Sequence, residues 1–325
     1  MTQRLSGLEA VRGIAALMVL WTHAGMFAGY ATAAAALFAY GHLAVDLFFL
    51  LSGFVLARTY EHRMPGTAQF LSQRFVRLWA PVATGVVAGG LYYAVTGMAG
   101  DALVLNLLAG LAILPVLAGS VLFNPPAWSI FFELFANAGH ALTLRGLSNK
   151  ALALIVAASA AVLLLGMGED GLDAGFGETL WLGFPRVVMS YALGVLLWRI
   201  NGDRVRVNGS AGWPVLALYA FTIAMFPAIL QGPGEVAFAL LINPAVLIAS
   251  LDMRSGRVVT ALGAFSFPLY ALHYPVLTWL MALGAQWWSA MGLALVVCCA
   301  LGLVIDCRLR AAVLPARTER QRAMV

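Results

Sequence analysis

Ionisable side chains interrupt the apolar stretches of this sequence, and they concentrate in its first 140 residues. A charge inside a membrane span is costly, so such residues indicate function by default. In the first apolar stretch Arg12 and His23 are eleven positions apart, which places them on one helix face and about 16 Å apart along its axis. Two ionisable residues on one buried face favour a shared role. The alternatives are an interfacial anchor for Arg12 and a hydrogen-bonded packing residue for His23.

Two carboxylates are predicted to lie at the same depth as His23. Asp46 is placed near the outer half of the second apolar stretch, which returns across the membrane, and Glu133 stands near the beginning of a later one. A carboxylate that pairs with a histidine fixes the tautomer and the basicity of the ring. Arg12, His23, Asp46 and Glu133 are therefore the candidates for a catalytic site.

A second group of residues suits a phosphate-bearing ligand. Arg74 and Arg77 are three positions apart just before the third apolar stretch, so both side chains project from one helix face. Two guanidinium groups can hold phosphates bidentately, although basic residues at this place are equally typical of positive-inside anchoring. Ser52, Gly53 and Phe54 lie in the preceding stretch. The missing side chain of Gly53 leaves room for a ligand or for a closely packed helix.

Four residues are candidates for lining a substrate cavity. Trp128 and Ser129 begin the apolar stretch that contains Glu133. Tyr270 and His273 lie one helical turn apart further along the chain. A proline stands on each side of the latter pair, and proline leaves backbone carbonyls free within a helix. The alternative for Tyr270 and His273 is a kinked structural helix.

The elements that position these residues follow from composition. This chain of 325 residues is 62% hydrophobic and 10% charged, whereas a soluble domain has about 25% charged residues. It is therefore predicted to be an all-α integral membrane protein. The three cysteines have neither disulfide nor metal-ligand spacing, so we expect no metal. Candidate spans of about 20 residues lie near 8–30, 36–57, 78–97, 103–123, 128–144, 151–166, 180–198, 213–229, 236–251, 262–283 and 289–305.

Loop charges indicate which of these spans cross the membrane. If all of them did, Arg145 and Lys150 would lie outside and the acidic loop at 169–178 inside, against the tendency of basic residues to stay in the cytoplasm. Every basic cluster becomes cytoplasmic if 103–123 is instead a re-entrant or interfacial segment on the outer side. We therefore predict a polytopic bundle of about ten transmembrane helices with cytoplasmic N- and C-termini.

The same topology sets the domain organisation. Residues 1–310 are predicted to form one transmembrane domain, and residues 311–325 a short basic cytoplasmic tail. The candidate residues then fall into two layers, a cytoplasmic one with Arg12, Arg74 and Arg77 and an outer one with His23, Asp46 and Glu133.

Five short segments, in this order, resemble the family 3 membrane acyltransferases, a group that includes bacterial O-acetyltransferases of lipopolysaccharide, exopolysaccharide and macrolide substrates. The resemblance implies ten transmembrane helices in the bacterial inner membrane, cytoplasmic acyl-CoA as the co-substrate with no permanently bound cofactor, and an acceptor on the far side. It also implies essential roles for Arg12 and His23, the arginine and histidine of the first helix. The segments are Leu8 to Gly13 with His23, Val45 to Phe54, Arg74 with Arg77, Trp128-Ser129 with Glu133, and Phe265 to Pro275.

The resemblance suggests a mechanism. The phosphates of acyl-CoA would bind Arg74 and Arg77, and the thioester would reach His23. There His23 acts as a general base on an acceptor hydroxyl, with Asp46 or Glu133 orienting its ring, or takes the acyl group itself. We expect an acetyl group, a carbohydrate acceptor and no nucleic acid, with the protein acting alone or beside glycan-assembly partner proteins. The alternative is a transporter or proton-coupled channel, because buried charges can also form an ion path.

Overall fold

The computed structural model describes residues 5–98, 100–115, 122–168, 171–202, 212–226, 230–251, 253 and 256–322, with side chains up to 307. Most of these residues are helical, and no strand is found among them. The helices are α1 (Ser6–Phe27), α2 (Ala33–Ala36), α3 (Leu43–Tyr60), α4 (Thr67–Thr96), α5 (Leu103–Leu111), α6 (Ala127–Leu142), α7 (Asn149–Gly166), α8 (Gly183–Asn201), α9 (Gly212–Ala224), α10 (Pro233–Ala237), α11 (Asn243–Ser250), α12 (Arg257–Ala282) and α13 (Trp287–Arg322).

Local sequence explains where several helices begin and end. The Ser148 hydroxyl accepts a hydrogen bond from the Ala151 amide and so caps α7. Gly97, with φ of 71°, ends α4 in the left-handed conformation that glycine adopts without strain. A π-helical turn, Phe238–Ile242, joins α10 to α11. The last helix α13 runs through the predicted domain boundary at 310 without a break.

Seven helical segments in the described part of the chain are long and apolar enough to cross a membrane. The predicted all-helical, multi-pass membrane class is therefore confirmed. Of the other helices, α6 and α9 have 16 and 13 residues, and α12 is not among the seven although it has 26. The count of ten spans and the cytoplasmic termini stay predictions. The seven segments are Ser6–Phe27, Leu43–Tyr60, Thr67–Thr96, Asn149–Gly166, Gly177–Asn201, Pro233–Ser250 and Trp287–Cys307.

The segment predicted to be re-entrant or interfacial contains α5, which has nine residues. At 1.5 Å per residue this helix is about 14 Å long, and it cannot cross a hydrocarbon core of about 30 Å. The Trp79 indole donates to the Leu111 carbonyl at 2.7 Å and ties the end of α5 to α4. A side chain at Gly89 would collide with the carbonyl of Phe123, so the chain after α5 lies directly on α4. Residues 116–121 lie outside the described part.

Small residues bring the central helices together. α1 and α12 run in the same direction. Gly13 packs on Leu262 near one end of the pair, and His23 contacts His273 near the other. A side chain at Gly53 would collide with the Tyr191 carbonyl, so α3 lies closely against α8. Around these pairs, α4 and α6 complete a bundle that encloses most of the polar residues predicted to carry chemistry.

Candidate active site

Three arginines meet in one cavity of about 140 Å³, which we call the arginine cavity. Arg12 comes from α1, and Arg74 and Arg77 come from α4, within the helix instead of in the connection before it. Glu133 of α6 receives hydrogen bonds on one carboxylate oxygen from the Arg74 guanidinium at 2.8 Å and from the Ser52 hydroxyl at 2.6 Å. The predicted phosphate-binding pair and the first-helix arginine therefore share one space.

The arginine cavity has an excess of positive charge. Among the described residues that line it are three arginines and one carboxylate, that of Glu133, which is paired with Arg74. Arg12 and Arg77 line the same space without an ion pair to another described residue. Guanidinium groups without a carboxylate partner are suited to bind phosphate oxygens through charge-assisted hydrogen bonds.

Only one of three neighbouring residues predicted to bind the donor lies on this cavity. Ser52 lines it. Gly53 faces away, where its missing side chain admits the backbone of Tyr191, so the closely packed helix is the interpretation that the structure supports. Phe54 is fully buried beside Trp198, with ring centroids 5.8 Å apart. Gly53 and Phe54 therefore hold α3 against α8 and do not reach the arginines.

A second cavity of about 260 Å³ lies at the other end of α1 and contains His23; we call it the histidine cavity. Burial, together with the negative charge of Asp173, raises the pKa of the Tyr30 hydroxyl, which therefore stays a neutral hydrogen-bond donor. Aromatic rings make up much of the wall, and polar groups interrupt it. The rings are Tyr30, Trp128, Phe176, Tyr270 and Tyr274, and the polar side chains are Thr22, His23, His42 and Asp173.

The two cavities share a wall. Val45 and Tyr270 line both of them. The Tyr270 hydroxyl lies 2.6 Å from the hydroxyl of Ser129, which itself donates to the Pro126 carbonyl at 2.9 Å. Because the hydrogen of Ser129 is used in that bond, Tyr270 is the donor to Ser129. This hydrogen bond stands between the arginine cavity and the histidine cavity.

A proline in α12 explains how this wall is built. Pro275 has no N–H, so the carbonyl of Ala271, four residues earlier, lacks its helical partner. The side-chain amide of Asn124 donates to that carbonyl at 2.8 Å. The bond ties the start of α6 to α12 and brings Ser129 beside Tyr270.

The partner of His23 is a second histidine. His23 Nδ1 lies 2.9 Å from the Val19 carbonyl oxygen and 3.0 Å from His273 Nε2. His273 is fully buried, and its Nδ1 lies 3.0 and 2.9 Å from the carbonyl oxygens of Leu269 and Tyr270. His273 was predicted to line a cavity, whereas the structure places its ring behind His23.

The prediction that Asp46 orients His23 is wrong. Asp46 is fully buried and forms an ion pair with Arg186 of α8 at 2.8 Å. The Arg186 guanidinium also donates to the carbonyls of His42 and Ala174, both at 3.0 Å. Sequence reasoning passed over Arg186, although an arginine inside the apolar stretch 180–198 was itself a signal of a buried partner.

The prediction that Glu133 lies in the layer of His23 is also wrong. In α6, Trp128 lines the histidine cavity, Ser129 lies at the shared wall, and Glu133 is a full turn further on, where it meets Arg74. About 6 Å of helix, four residues at 1.5 Å each, separates Ser129 from Glu133 along the axis. Hydropathy gave the order of these residues correctly but not their depth.

A buried carboxylate that the sequence did not single out supports the histidine cavity. Glu235 accepts a hydrogen bond from His42 at 2.9 Å and others from the backbone amides of Leu172 and Gly232 at 2.6 and 3.1 Å. Asp173, the next residue after Leu172, lines the cavity. Glu235 therefore holds the loop that presents Asp173. No group of His, Cys, Asp or Glu in the described residues is arranged to hold a metal ion.

Comparison with known proteins identifies one family over nearly the whole chain. The family Acyl_transf_3, described as an acyltransferase domain, matches residues 5–307, which include both cavities. The chain belongs to the family 3 acyltransferases. This membership confirms the resemblance seen in the sequence and the prediction of an acyltransferase enzyme, in preference to a transporter.

Two curated proteins are similar to this family 3 acyltransferase. Protein 2 in picA locus from Rhizobium radiobacter is 33% identical over 190 residues, which cover 51% of this chain and 96% of that protein. Acyltransferase MdmB from Streptomyces mycarofaciens is 26% identical over 315 residues, which cover 84% of this chain and 79% of that protein. No solved structure matches the chain.

Proposed function

We propose that this family 3 acyltransferase moves an acetyl group from acyl-CoA, bound in the arginine cavity, to a hydroxyl of a carbohydrate in the histidine cavity. The observation that carries the proposal is the shared wall of Val45 and Tyr270. It separates a positively charged space from a space with a histidine and aromatic rings. A donor bound on one side and an acceptor bound on the other would meet at this wall.

The arrangement of basic residues supports a direction of transfer. Arg58 lies in the last turn of α3, Arg63 in the connection to α4, and Arg74 and Arg77 in the first turns of α4. Basic connections stay in the cytoplasm, where acyl-CoA is found. The arginine cavity then opens on the cytoplasmic side of the bacterial inner membrane, and the histidine cavity lies toward its outer side.

The chemistry uses groups on both sides of the wall. His23 removes the proton from the acceptor hydroxyl, whose oxygen attacks the thioester carbonyl carbon. The Tyr270 hydroxyl, when it releases Ser129, donates to the oxyanion that forms. The carbon–sulfur bond then breaks, and the coenzyme A thiolate takes the proton from His23. In the alternative route, His23 attacks the thioester first and displaces the coenzyme A thiolate. The acceptor hydroxyl then attacks the acyl-histidine, its oxygen takes the acetyl group and frees His23, and its proton passes to the thiolate.

The lining of the histidine cavity supports a carbohydrate acceptor. A pocket that combines apolar or aromatic walls with a few placed polar groups fixes both the position and the orientation of its ligand. A sugar ring offers an apolar face to the rings of Trp128 and Tyr274 and hydroxyls to Asp173 and His42. A transferred acetyl group therefore ends as an ester on the hydroxyl that lies next to His23.

Acetyl-CoA binding to the purified protein tests the donor site. We expect Arg77→Gln and Arg12→Gln each to weaken binding about 10- to 100-fold, because each removes a charge-assisted contact to a phosphate. Calorimetry in detergent measures the Kd. Arg63→Gln is the matched control, because Arg63 is exposed and does not line the cavity. Unchanged binding by the cavity variants, or no binding by the native protein, would contradict the donor site.

Chemical comparison of cells with and without the protein tests the acceptor. We expect alkali-labile acetyl esters on an envelope or exported polysaccharide to disappear when the protein is removed and to return when it is restored. Mass spectrometry of the isolated glycans measures them. If the lost ester is instead on a lipid or a small non-carbohydrate product, the acceptor class is wrong while the acyltransferase assignment stands.

A further inference from the structure

We infer that His273 is a positioning residue for His23. His273 and the Val19 carbonyl both accept from His23 Nδ1, so they fix the tautomer of His23 that has its hydrogen on Nδ1. The Nε2 atom of His23 then has no hydrogen and is available on the side of the histidine cavity. The inference rests on the proposed role of His23 in acyl transfer. It assigns the reacting atom, and it gives His273 a task that does not require contact with substrate.

His273 is the buried member of the pair. The Nδ1 atom of His273 lies within 3.0 Å of the carbonyl oxygens of Leu269 and Tyr270. Carbonyl oxygens only accept hydrogen bonds, so this nitrogen carries a hydrogen. The ring is fully buried and has no carboxylate partner among the described residues, so it is neutral. In a neutral imidazole with a hydrogen on Nδ1, the other nitrogen is an acceptor.

The state of His273 then determines the state of His23. Both neighbours of His23 Nδ1 are acceptors, the Val19 carbonyl at 2.9 Å and His273 Nε2 at 3.0 Å. The nitrogen between them therefore carries a hydrogen that is shared by the two bonds. In neutral His23 this leaves Nε2 without a hydrogen. Since Nδ1 is occupied on the protein side, Nε2 is the nitrogen available to a molecule in the cavity.

The arrangement suits either route of transfer. A bare Nε2 takes a proton from an acceptor hydroxyl, or it attacks a thioester carbon, without first losing a hydrogen. When His23 becomes positive in either route, its Nδ1–H bond to His273 Nε2 strengthens, because it then comes from a charged donor. A neutral partner stabilises this cation less than a carboxylate would, so in the general-base route His23 can return the proton to the coenzyme A thiolate.

The tautomer is testable without any activity. The chain has five histidines, so ring-¹⁵N-labelled protein in nanodiscs gives few signals, and the His23 signals are assigned as those lost in His23→Gln. We expect a protonated Nδ1 and an unprotonated Nε2 for His23. A hydrogen found on Nε2 instead overturns the inference, whatever the enzyme transfers.

A matched pair of substitutions tests the role of His273. His273→Asn places its amide near Nδ1, so it keeps a donor to the α12 carbonyls but loses the acceptor for His23. His273→Gln places its amide oxygen near Nε2 and keeps that acceptor. We expect the Asn variant to lower kcat by roughly 10- to 100-fold, the effect of one hydrogen bond to a charged group, with the KM for acetyl-CoA unchanged. The Gln variant should recover most of the lost rate.

Equal rates for the two variants, when both fold, would overturn the positioning role of His273. Thermal unfolding in detergent shows whether each variant is folded. If His23→Gln itself keeps full transfer, the proposed function of His23 fails, whereas the tautomer measurement still decides the inference about the histidine pair. The two failures are therefore distinguishable.

Discussion

Substitution of His23 by glutamine is expected to lower acetyl transfer about 100-fold or more, the usual contribution of a general base. His23 lines the histidine cavity, where the acceptor is proposed to bind, and its Nε2 atom is the nitrogen inferred to be free to react. Its other nitrogen is held by Val19 and His273. Glutamine cannot remove a proton, so the attacking hydroxyl stays a poor nucleophile. Release of coenzyme A from acetyl-CoA in proteoliposomes, with a glycan acceptor, measures the rate.

The control for His23→Gln is His62→Gln, because His62 is exposed and lines neither cavity. Both variants are expected to bind acetyl-CoA as the native protein does, since the arginine cavity is separate. Mixing native protein with acetyl-CoA alone distinguishes the two routes, because acetylated enzyme forms only if His23 takes the acyl group. Full transfer by a folded His23→Gln enzyme would remove His23 from the mechanism.

The sequence predicted one spatial relation in the site well. Arg12 and His23 lie on one helix, where a spacing of eleven residues fixes both their common face and their separation. In the structure one residue lines the arginine cavity and the other the histidine cavity. Because α1 is a regular helix, local geometry was sufficient to predict this.

Partners that come from distant helices could not be predicted in the same way. His273 is 250 positions from His23, and Arg186 is 140 positions from Asp46. Hydropathy gives an approximate depth for a residue in its span, but it does not give the direction in which the side chain points or the neighbour that it meets. Depth alone therefore pairs Asp46 with His23, whereas packing of α3 on α8 supplies Arg186 as its partner.

The depth that hydropathy predicts for a residue is wrong where a helix is longer than its apolar part. Hydropathy predicts that the third apolar stretch begins at residue 78, which leaves Arg74 and Arg77 in a connection. In the structure α4 begins at Thr67 and has 30 residues, so both arginines lie two to three turns inside the helix. There Arg74 forms an ion pair with Glu133, and the Glu133 carboxylate therefore lies in the arginine cavity. A hydropathy search detects only the apolar part of a helix and misses polar turns at its start.

The largest expected effect on stability comes from Arg186. Arg186→Met leaves the buried Asp46 with a single described side-chain partner, Ser190, at 3.3 Å. Removing one partner of a buried ion pair costs about 3–5 kcal/mol, because the remaining charge is uncompensated. The carbonyls of His42 and Ala174 also lose their donor. We expect a large fall in the thermal unfolding temperature in detergent, measured by differential scanning fluorimetry.

The double variant Asp46→Leu/Arg186→Met separates loss of the pair from loss of packing. With both charges removed, no charge is left unpaired, so the double variant should be more stable than Arg186→Met alone. If the single variant is as stable as the native protein, the buried pair is not what holds α3 to α8. Because Arg186 binds the carbonyl of Ala174, next to Asp173, the double variant should weaken acceptor use while acetyl-CoA still binds. That result would make the ion pair the support of the histidine cavity and not a part of the catalytic machinery.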